Sequence, residues 1–322
     1  MAKLVVTGAA GFIGSHLVER LLDEGHDVVG IDSFEDFYAR DVKESNLAAA
    51  RLTQRFELVE ARIQDLARPP EASSAAAPLS GIVDGAAAVY HLAAQAGVRS
   101  SWGSSFEVYT DNNVLATQTL LEACKAAGVS RVVYASSSSV YGDVDELPMR
   151  EDARCRPVSP YGVTKLAAEH LCDLYWTRFG VESVSLRFFT VYGPRQRPDM
   201  AFNRFIRALR DGDEIVVYGS GEQTRDFTFV DDIVAGVVAA TAAPPGGIFN
   251  LAGGSRVSLL EAIAVLEDVM GSKARVSARG EAAGDVRDTW ADLSRARESL
   301  GYEPCVGLAE GLAKEAAWLA GR

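Results

Sequence analysis

The sequence predicts an α/β fold built on a doubly wound parallel sheet, with a smaller C-terminal substrate-binding lobe. Short apolar runs suited to buried parallel strands recur along the first 187 residues, separated by segments with helical spacing. The first run, Leu4 to Thr7, leads directly into a glycine-rich turn and a helix. We therefore expect a Rossmann-type domain over residues 1-187, with later returns to it near 226-252. Residues 188-322 should form most of the second lobe, interleaved with the first.

Composition limits the possible partners. The chain has 322 residues, of which 48% are hydrophobic and 24% charged, an ordinary balance for a globular protein. Its net charge of −12 disfavours nucleic acid and acidic membrane surfaces. No apolar run approaches the roughly 18 residues of a membrane span, and no leader pattern opens the chain, so we expect a cytoplasmic protein. The four cysteines lie far apart, which predicts reduced thiols and no metal site.

The turn after the first strand reads Gly8-Ala9-Ala10-Gly11-Phe12-Ile13-Gly14. Glycines at this spacing let the backbone turn tightly and approach a pyrophosphate at the N-terminus of the following helix. The second strand ends in Asp32, where a carboxylate can bond a ribose 2′-hydroxyl and would repel a 2′-phosphate. This pattern predicts NAD as the cofactor. The predicted contacts are Gly8, Gly11, Phe12, Ile13, Gly14 and Asp32.

Two later strands also end in small or polar residues. Val89 to Leu92 is followed by Ala93 and Ala94, whose small side chains allow a cofactor to approach closely. His91 lies inside this apolar strand, so we interpret it as a structural histidine. Residues 67-87, before this strand, read as an exposed connection. The fifth strand, residues 131-135, runs into a series of serines at its carboxyl end, where open sheets place ligands.

A helix is predicted from Ser159, a good N-cap, through Pro160 to about Phe179. Tyr161 and Lys165 then share one face of it. An ammonium about 4 Å from a phenol contributes on the order of 4 kcal/mol, enough to lower a tyrosine pKa by about three units. Tyr161 is therefore a candidate general base, although the spacing alone is common in helices.

The glycine spacing and the Tyr161-x-x-x-Lys165 pair resemble the extended short-chain dehydrogenase/reductase family over nearly the whole chain. Aligning Val140-Tyr141-Gly142 with the family motif implies Ser137 as the catalytic hydroxyl. The resemblance implies that Asn113 lies near the nicotinamide end and that the chain forms a homodimer through the helices containing Asn113 and Lys165. The family's usual aspartate before Ile63 is replaced by Arg62, so only a contact of Ile63 with the adenine is carried over.

Residues 188-201 closely resemble the nucleotide-sugar epimerases, and in particular the UDP-glucuronate 4-epimerases. In that branch the residues matched by Thr190 and Arg197 lie at the sugar carboxylate. Residues 217-227 and 284-287 resemble segments that hold the uracil and the diphosphate, with Arg279 and Arg287 both open as diphosphate ligands. The implied substrate contacts are Ser137, Ser138, Ser139, Tyr161, Thr190, Arg197, Tyr218, Arg225, Asp285 and Arg287.

The resemblance implies a UDP-sugar 4-epimerase that oxidises carbon 4 of UDP-glucuronate, lets the 4-keto sugar rotate and reduces it from the other face. UDP-glucose 4-epimerase remains an alternative, although its best-known members have asparagine where Thr190 stands. Dehydratases and decarboxylases carry acidic residues where Ser138 and Ser139 stand, so these lyases are less favoured. A catalytically silent NAD-binding regulator would not need Tyr161 and Lys165.

Overall fold

The computed structural model describes residues 1–67, 78–280 and 284–321. Its strands are β1 (Lys3–Thr7), β2 (Asp27–Asp32), β3 (Phe56–Glu60), β4 (Ala88–His91), β5 (Arg131–Ser137), β6 (Glu182–Phe188), β7 (Thr190–Tyr192), β8 (Glu214–Tyr218), β9 (Thr224–Arg225), β10 (Phe227–Phe229), β11 (Ile248–Leu251), β12 (Val257–Ser258) and β13 (Arg275–Arg279).

The helices are α1 (Phe12–Asp23), α2 (Arg40–Asn46), α3 (Ile63–Leu66), α4 (Leu79–Val83), α5 (Phe106–Tyr109), α6 (Ala116–Ala127), α7 (Pro160–Phe179), α8 (Ala201–Asp211), α9 (Val230–Ala239), α10 (Leu259–Met270), α11 (Ser294–Leu300) and α12 (Leu308–Ala320). A π-helical segment, Thr110–Leu115, joins α5 to α6. Of the connection predicted over residues 67-87, residues 68–77 lie outside the described ranges, and α4 forms part of the remainder.

Seven parallel strands form the central sheet in the order β11-β6-β5-β4-β1-β2-β3. The chain first winds outward from β1 to β3 and then crosses to β4 on the other side of β1. This reversal of direction is the switch point at which the carboxyl ends of the strands leave a crevice for ligands. The predicted doubly wound parallel sheet is confirmed.

Helices cover both faces of this sheet. Successive residues of a strand point to opposite faces, so Val5 and Val6 of β1 belong to different cores. Val5 packs in the core that contains Leu120 of α6 and Cys172 of α7, whereas Val6 packs with Leu17 of α1 on the other side. Both valines are fully buried, which explains why the strands read as continuous apolar runs.

The C-terminal part of the chain adds short strand pairs and helices beside the carboxyl ends of the sheet. β8 pairs with β13, β9 with β12, and β7 with β10. Helices α8, α10 and α12 pack against one another around an aromatic cluster that includes Tyr192 and Phe202, whose ring centroids lie 5.5 Å apart. Within this part, α9 packs on α1 and β11 joins the central sheet beside β6. In the three described ranges, no helix is long and apolar enough to cross a membrane.

Candidate functional site

A central cleft lies along the carboxyl ends of the sheet strands. It brings together twelve residues singled out in the sequence: Gly8, Gly11, Phe12, Ile13, Gly14, Asp32, Ile63, Ala93, Ala94, Tyr161, Lys165 and Arg197. Residues at the ends of β1, β2 and β4, on helices α1, α3 and α7 and in the segment after β7 therefore meet in one place.

The glycine turn is shaped for a group that must approach the backbone. Gly8 has a φ of +71°, and a Cβ on it would lie 2.8 Å from the backbone nitrogen of Ala93. A Cβ on Gly14 would lie 2.0 Å from the carbonyl oxygen of Gly8. No side chain caps the N-terminus of α1, so its first amides remain available to an anion. This cradle fits the pyrophosphate of a dinucleotide.

Asp32 closes the cleft beside this turn. Its carboxylate accepts hydrogen bonds from the backbone amides of Ala10 and Phe34, both at 2.9 Å. Burial raises the pKa of Asp32, and the two amides oppose that shift. Lys43, which sequence reasoning missed, also lines the cleft and donates to the carbonyl oxygen of Glu35 at 2.5 Å. Its side chain comes from α2, and its position follows only from the fold of the loop after β2.

Arg62 departs from the expected family pattern, but it is paired in this structure. Its guanidinium contacts the carboxylates of Glu35 and Asp111. The next residue, Ile63, is buried and forms part of the cleft wall. The arginine is thus neutralised by two acidic side chains at the edge of the cleft, while the predicted packing surface of Ile63 is present.

Asn113 lies behind the cleft lining. Its side-chain oxygen accepts from the amide of Gln95 at 2.7 Å, and its side-chain nitrogen donates to the carbonyl of Gln95 at 3.0 Å and to Thr164 Oγ1 at 2.9 Å. The side chain therefore ties the segment after β4 to α7. Asn112, one residue earlier in the π-helical segment, lines the cleft instead. The implied contact of Asn113 with the nicotinamide end stays a prediction.

His91 is structural, as predicted. Thr117 gives its hydroxyl proton to the carbonyl of Asn113, so it accepts from His91 Nε2 at 2.9 Å. The other ring nitrogen then accepts from the hydroxyl of Thr7 at 2.8 Å. Burial lowers the pKa of His91 to about 3, and the imidazole is neutral.

Ser137 and Tyr161 meet where β5 ends and α7 begins. The hydroxyl of Ser137 accepts from the amide of Ser139 at 3.1 Å and is close enough to Tyr161 to lower the pKa of that phenol. The N-terminus of α7 is capped by Ser159, as predicted, through a 3.1 Å bond from the amide of Gly162. A Cβ on Gly162 would lie 2.4 Å from the carbonyl oxygen of Ser139, so the helix is pressed against the turn that contains Ser138 and Ser139.

The expectation that Lys165 lowers the pKa of Tyr161 is not met in this structure. Lys165 Nζ donates to the carbonyl oxygen of Ala135 at 2.9 Å and lies 5.0 Å from the ring centre of Tyr134. Burial raises the pKa of Tyr161, while Ser137 and then Arg197 act in the opposite direction. Burial likewise lowers the pKa of Lys165 to about 8. The helix places both residues in the cleft but directs the ammonium towards the strand.

Arg197 reaches the cleft from the segment after β7. Its guanidinium makes two hydrogen bonds of 3.0 Å to Asp199 and lies 5.5 Å from the ring centre of Phe37. It is close enough to Tyr161 to lower the pKa of that phenol. Thr190 is half-buried at the start of β7, outside the cleft lining.

A second polar group lies in the C-terminal lobe. Arg99, which sequence reasoning missed, lies 4.2 Å from the ring centre of Tyr218 and donates to Asp285 at 2.6 Å. Arg225 is half-buried nearby; desolvation lowers its pKa, and the charge of Asp285 opposes that shift. Arg287 is 89% exposed, so the choice between Arg279 and Arg287 stays open. The only sequence signal for Arg99 was its position shortly after β4.

No group of three or more metal-binding side chains occurs in the described part of the chain.

Comparisons with known proteins agree with this geometry. The model of the NAD dependent epimerase/dehydratase family matches residues 4–252. An uncharacterised UDP-glucose epimerase of Bacillus subtilis, YtcB, is 42% identical over 98% of both chains. The UDP-glucuronate 4-epimerase of Thermodesulfobacterium geofontis is 38% identical over 99% of this chain and 96% of its own.

A solved structure is also similar over the whole chain. It is the UDP-glucuronic acid 4-epimerase of Bacillus cereus in complex with UDP-glucuronic acid and NAD, which is 41% identical, has a TM-score of 0.92 and matches over 99% of each chain. The similarity covers 99% of the chain. It therefore extends well beyond the glycine cradle, Asp32 and the group of Ser137, Tyr161 and Lys165. The chain belongs to the NAD dependent epimerase/dehydratase family.

Proposed function

We propose that this protein is an NAD-dependent UDP-sugar 4-epimerase, an isomerase, and that it converts UDP-glucuronate to UDP-galacturonate. The observation that carries the choice of sugar is Arg197, whose guanidinium lies in the same cleft as Tyr161 and acts on its pKa. A guanidinium in the cleft that holds the reacting hydroxyl suits a carboxylate on the neighbouring sugar carbon.

Bound NAD supplies the hydride acceptor for carbon 4 of the sugar. Tyr161 takes the proton from the hydroxyl at that carbon and returns it to the product, and Ser137 bonds the same oxygen. Lys165, held against the end of β5, provides a positive charge in this buried site. Asp32 holds the ribose, and the glycine cradle holds the pyrophosphate.

The second polar group accounts for the nucleotide. Tyr218 offers an aromatic face to the uracil, and Arg225 with Arg99 offers guanidinium groups to the diphosphate. Asp285 holds Arg99 in place. The cleft around Tyr161 and this second polar group both lie beyond the carboxyl ends of the strands. A nucleotide sugar can therefore extend from one to the other.

The sugar carboxylate brings a risk that the site must control. Oxidation at carbon 4 of UDP-glucuronate gives a β-keto acid, which loses carbon dioxide when the breaking bond stands perpendicular to the carbonyl plane. Arg197 and Thr190 lie on either side of a turn at Gly193, where φ is +134°. A carboxylate held between them keeps a fixed orientation, which favours epimerisation over decarboxylation.

UDP-glucose is the second candidate substrate. It is favoured by the name of the Bacillus subtilis relative, and in this structure Arg197 is already paired with Asp199.

The test is to incubate the purified protein with UDP-glucuronate and UDP-glucose separately, without added reductant, and to identify products by NMR. We expect UDP-galacturonate from the first. Turnover of UDP-glucose alone would show that UDP-glucose, and not UDP-glucuronate, is the substrate. A pentose product would indicate a decarboxylase.

We also propose a homodimer and a cytoplasmic location. Large apolar side chains are exposed along α5, the π-helical segment and α7: Phe106, Val108, Leu115, Val163, Leu174 and Phe179. Such a surface is typical of a helix-to-helix interface. All four cysteines are free thiols, as in a reducing compartment.

A further inference from the structure

Glu169 is a buried acid on the same helix as the proposed proton-transfer group. It lies four residues after Lys165 on α7, so both side chains point to the same face of the helix. Its carboxylate accepts from Ser136 Oγ at 2.5 Å and from Arg187 at 3.0 and 2.8 Å. The Glu169 and Arg187 side chains are each only 3% exposed.

These contacts hold the end of strand β5. Lys165 bonds the carbonyl of Ala135, and Glu169 bonds the hydroxyl of Ser136, the next residue. The residue after that is Ser137, whose hydroxyl lies close enough to Tyr161 to lower the pKa of that phenol. Side chains of α7 thus hydrogen-bond two consecutive residues of β5, Ala135 and Ser136, immediately before Ser137.

Arg187 anchors the carboxylate from the neighbouring strand. Its guanidinium donates to the carbonyl of Glu151 at 3.1 Å and stacks 4.6 Å from the ring centre of Tyr141. Glu169 is therefore held by three hydrogen bonds from two side chains and cannot turn away without leaving a buried charge unpaired. Breaking such a buried pair is costly, which makes the geometry rigid.

The charged and titratable groups around Glu169 come from several elements. Lys165 and Cys172 lie on its own helix, Tyr134 on β5 and Arg187 on β6. Cys155 approaches from the segment before α7. Burial lowers the pKa of Lys165, whereas Cys172 and Glu169 raise it, so the carboxylate helps to keep the ammonium charged.

We propose that Glu169 is a positioning residue for the epimerase reaction, holding Ser136 and favouring the charged form of Lys165 so that Ser137 and Tyr161 stay aligned. This inference rests on the proposed function. Glu169 touches neither substrate nor cofactor in this role. It acts on the rate through the strand end and through the charge of Lys165.

The test is Glu169→Gln, which removes the charge at nearly constant volume. We expect kcat to fall about tenfold or more, with KM and bound NAD little changed, because alignment and not binding is lost. The high-pH limb of kcat should move down by about one unit, since Lys165 then loses its proton more easily. Glu169→Asp, which keeps the charge, should restore that limb.

The matched control is Glu182→Gln. Glu182 pairs with Arg131 at 2.9 Å and joins the same two strands, β5 and β6, at their opposite end. A Glu169→Gln protein whose pH profile and kcat match this control, with only a lower Tm, would overturn the inference. If Glu169→Gln does not fold, Ser136→Ala decides, since unchanged kcat there would equally overturn it. A parent protein inactive on both UDP-sugars would overturn the proposed function and this inference with it.

Discussion

Tyr161 lies in a site that does not by itself favour a phenolate. Burial raises its pKa, and the opposing influences are the hydroxyl of Ser137 and then the guanidinium of Arg197. Lys165 is not among the groups that lower the pKa of Tyr161, because its ammonium is bonded to the carbonyl of Ala135. A more effective base therefore requires groups that arrive with the bound molecules.

Replacing Tyr161 by phenylalanine tests the proposed base. A phenyl ring cannot accept a proton, so we expect kcat to fall by a factor of about 1,000 or more while NAD stays bound. The measurement is initial-rate kinetics with the NAD content of the purified protein. Tyr175→Phe on the same helix is the control, because that hydroxyl contacts Gln118 and Glu122 away from the cleft. Rates within tenfold of the parent would refute the role of Tyr161.

Arg197 decides between the two candidate substrates. An arginine-carboxylate contact is worth about 1.5 to 3 kcal/mol, so Arg197→Ala should raise KM for UDP-glucuronate roughly ten- to hundredfold. The effect on UDP-glucose should be small, and some decarboxylated pentose product should form. Arg195→Ala is the control, since Arg195 lies in the same segment but pairs with Glu19. Equal losses on both sugars would show that Arg197 is structural.

At the scale of the elements, local patterns predicted the strands and the start of α7. Val5 belongs to an apolar run, Gly8 to a glycine turn and Ser159 to a helix start, so nearby residues in the sequence are enough to predict their roles. Arg99 and Lys43 could not be found this way. Each lies in a polar segment whose direction depends on packing against parts of the chain far away in sequence, such as Asp285 for Arg99.

The direction of a side chain was also beyond the sequence. The four-residue spacing placed Tyr161 and Lys165 in one cleft, but it did not show that the ammonium bonds a strand carbonyl. The contact of Asn113 with the nicotinamide end stays a prediction, and the sequence did not show that its amide joins Gln95 to Thr164. Predicting such pairings requires the distances between elements, which periodicity does not contain.

The exposed apolar face of α7 carries a prediction about assembly. Leu174 is 46% exposed on this helix, and a carboxylate there would have to be buried in a helix-to-helix interface. We expect Leu174→Glu to shift the protein from dimer to monomer in sedimentation experiments. Leu52→Glu, at an 89% exposed leucine on another surface, is the control and should leave the mass unchanged. A parent that already sediments as a monomer would exclude the proposed homodimer.

Burial raises the pKa of several acids among the described residues, and Glu315 is the one whose pKa is raised to about 8. Glu315 of α12 is fully buried; one of its oxygens accepts from the amide of Gly193 at 2.8 Å. The other oxygen has no hydrogen-bond partner among the residues that the structure describes. Burial raises the pKa of Glu315 to about 8, so the carboxyl is neutral at pH 7. A protonated side chain of α12 is thus hydrogen-bonded to the turn at Gly193, which precedes Arg197.

The sign of the resulting pH dependence follows from the raised pKa. Between the ordinary glutamate pKa and about 8, the folded protein holds a proton that the unfolded chain releases, so stability falls as pH rises through this window. Glu315→Gln keeps an acceptor for Gly193 and removes the titration. At pH 7 the variant should gain roughly 3 kcal/mol in the free energy of unfolding, and much less at pH 5. Thermal unfolding at both values measures this as a Tm difference that grows with pH. Glu310→Gln, at an exposed position on the same helix, should show no such growth, and a pH-independent difference for Glu315→Gln would mean that the carboxyl is ionised in the folded protein.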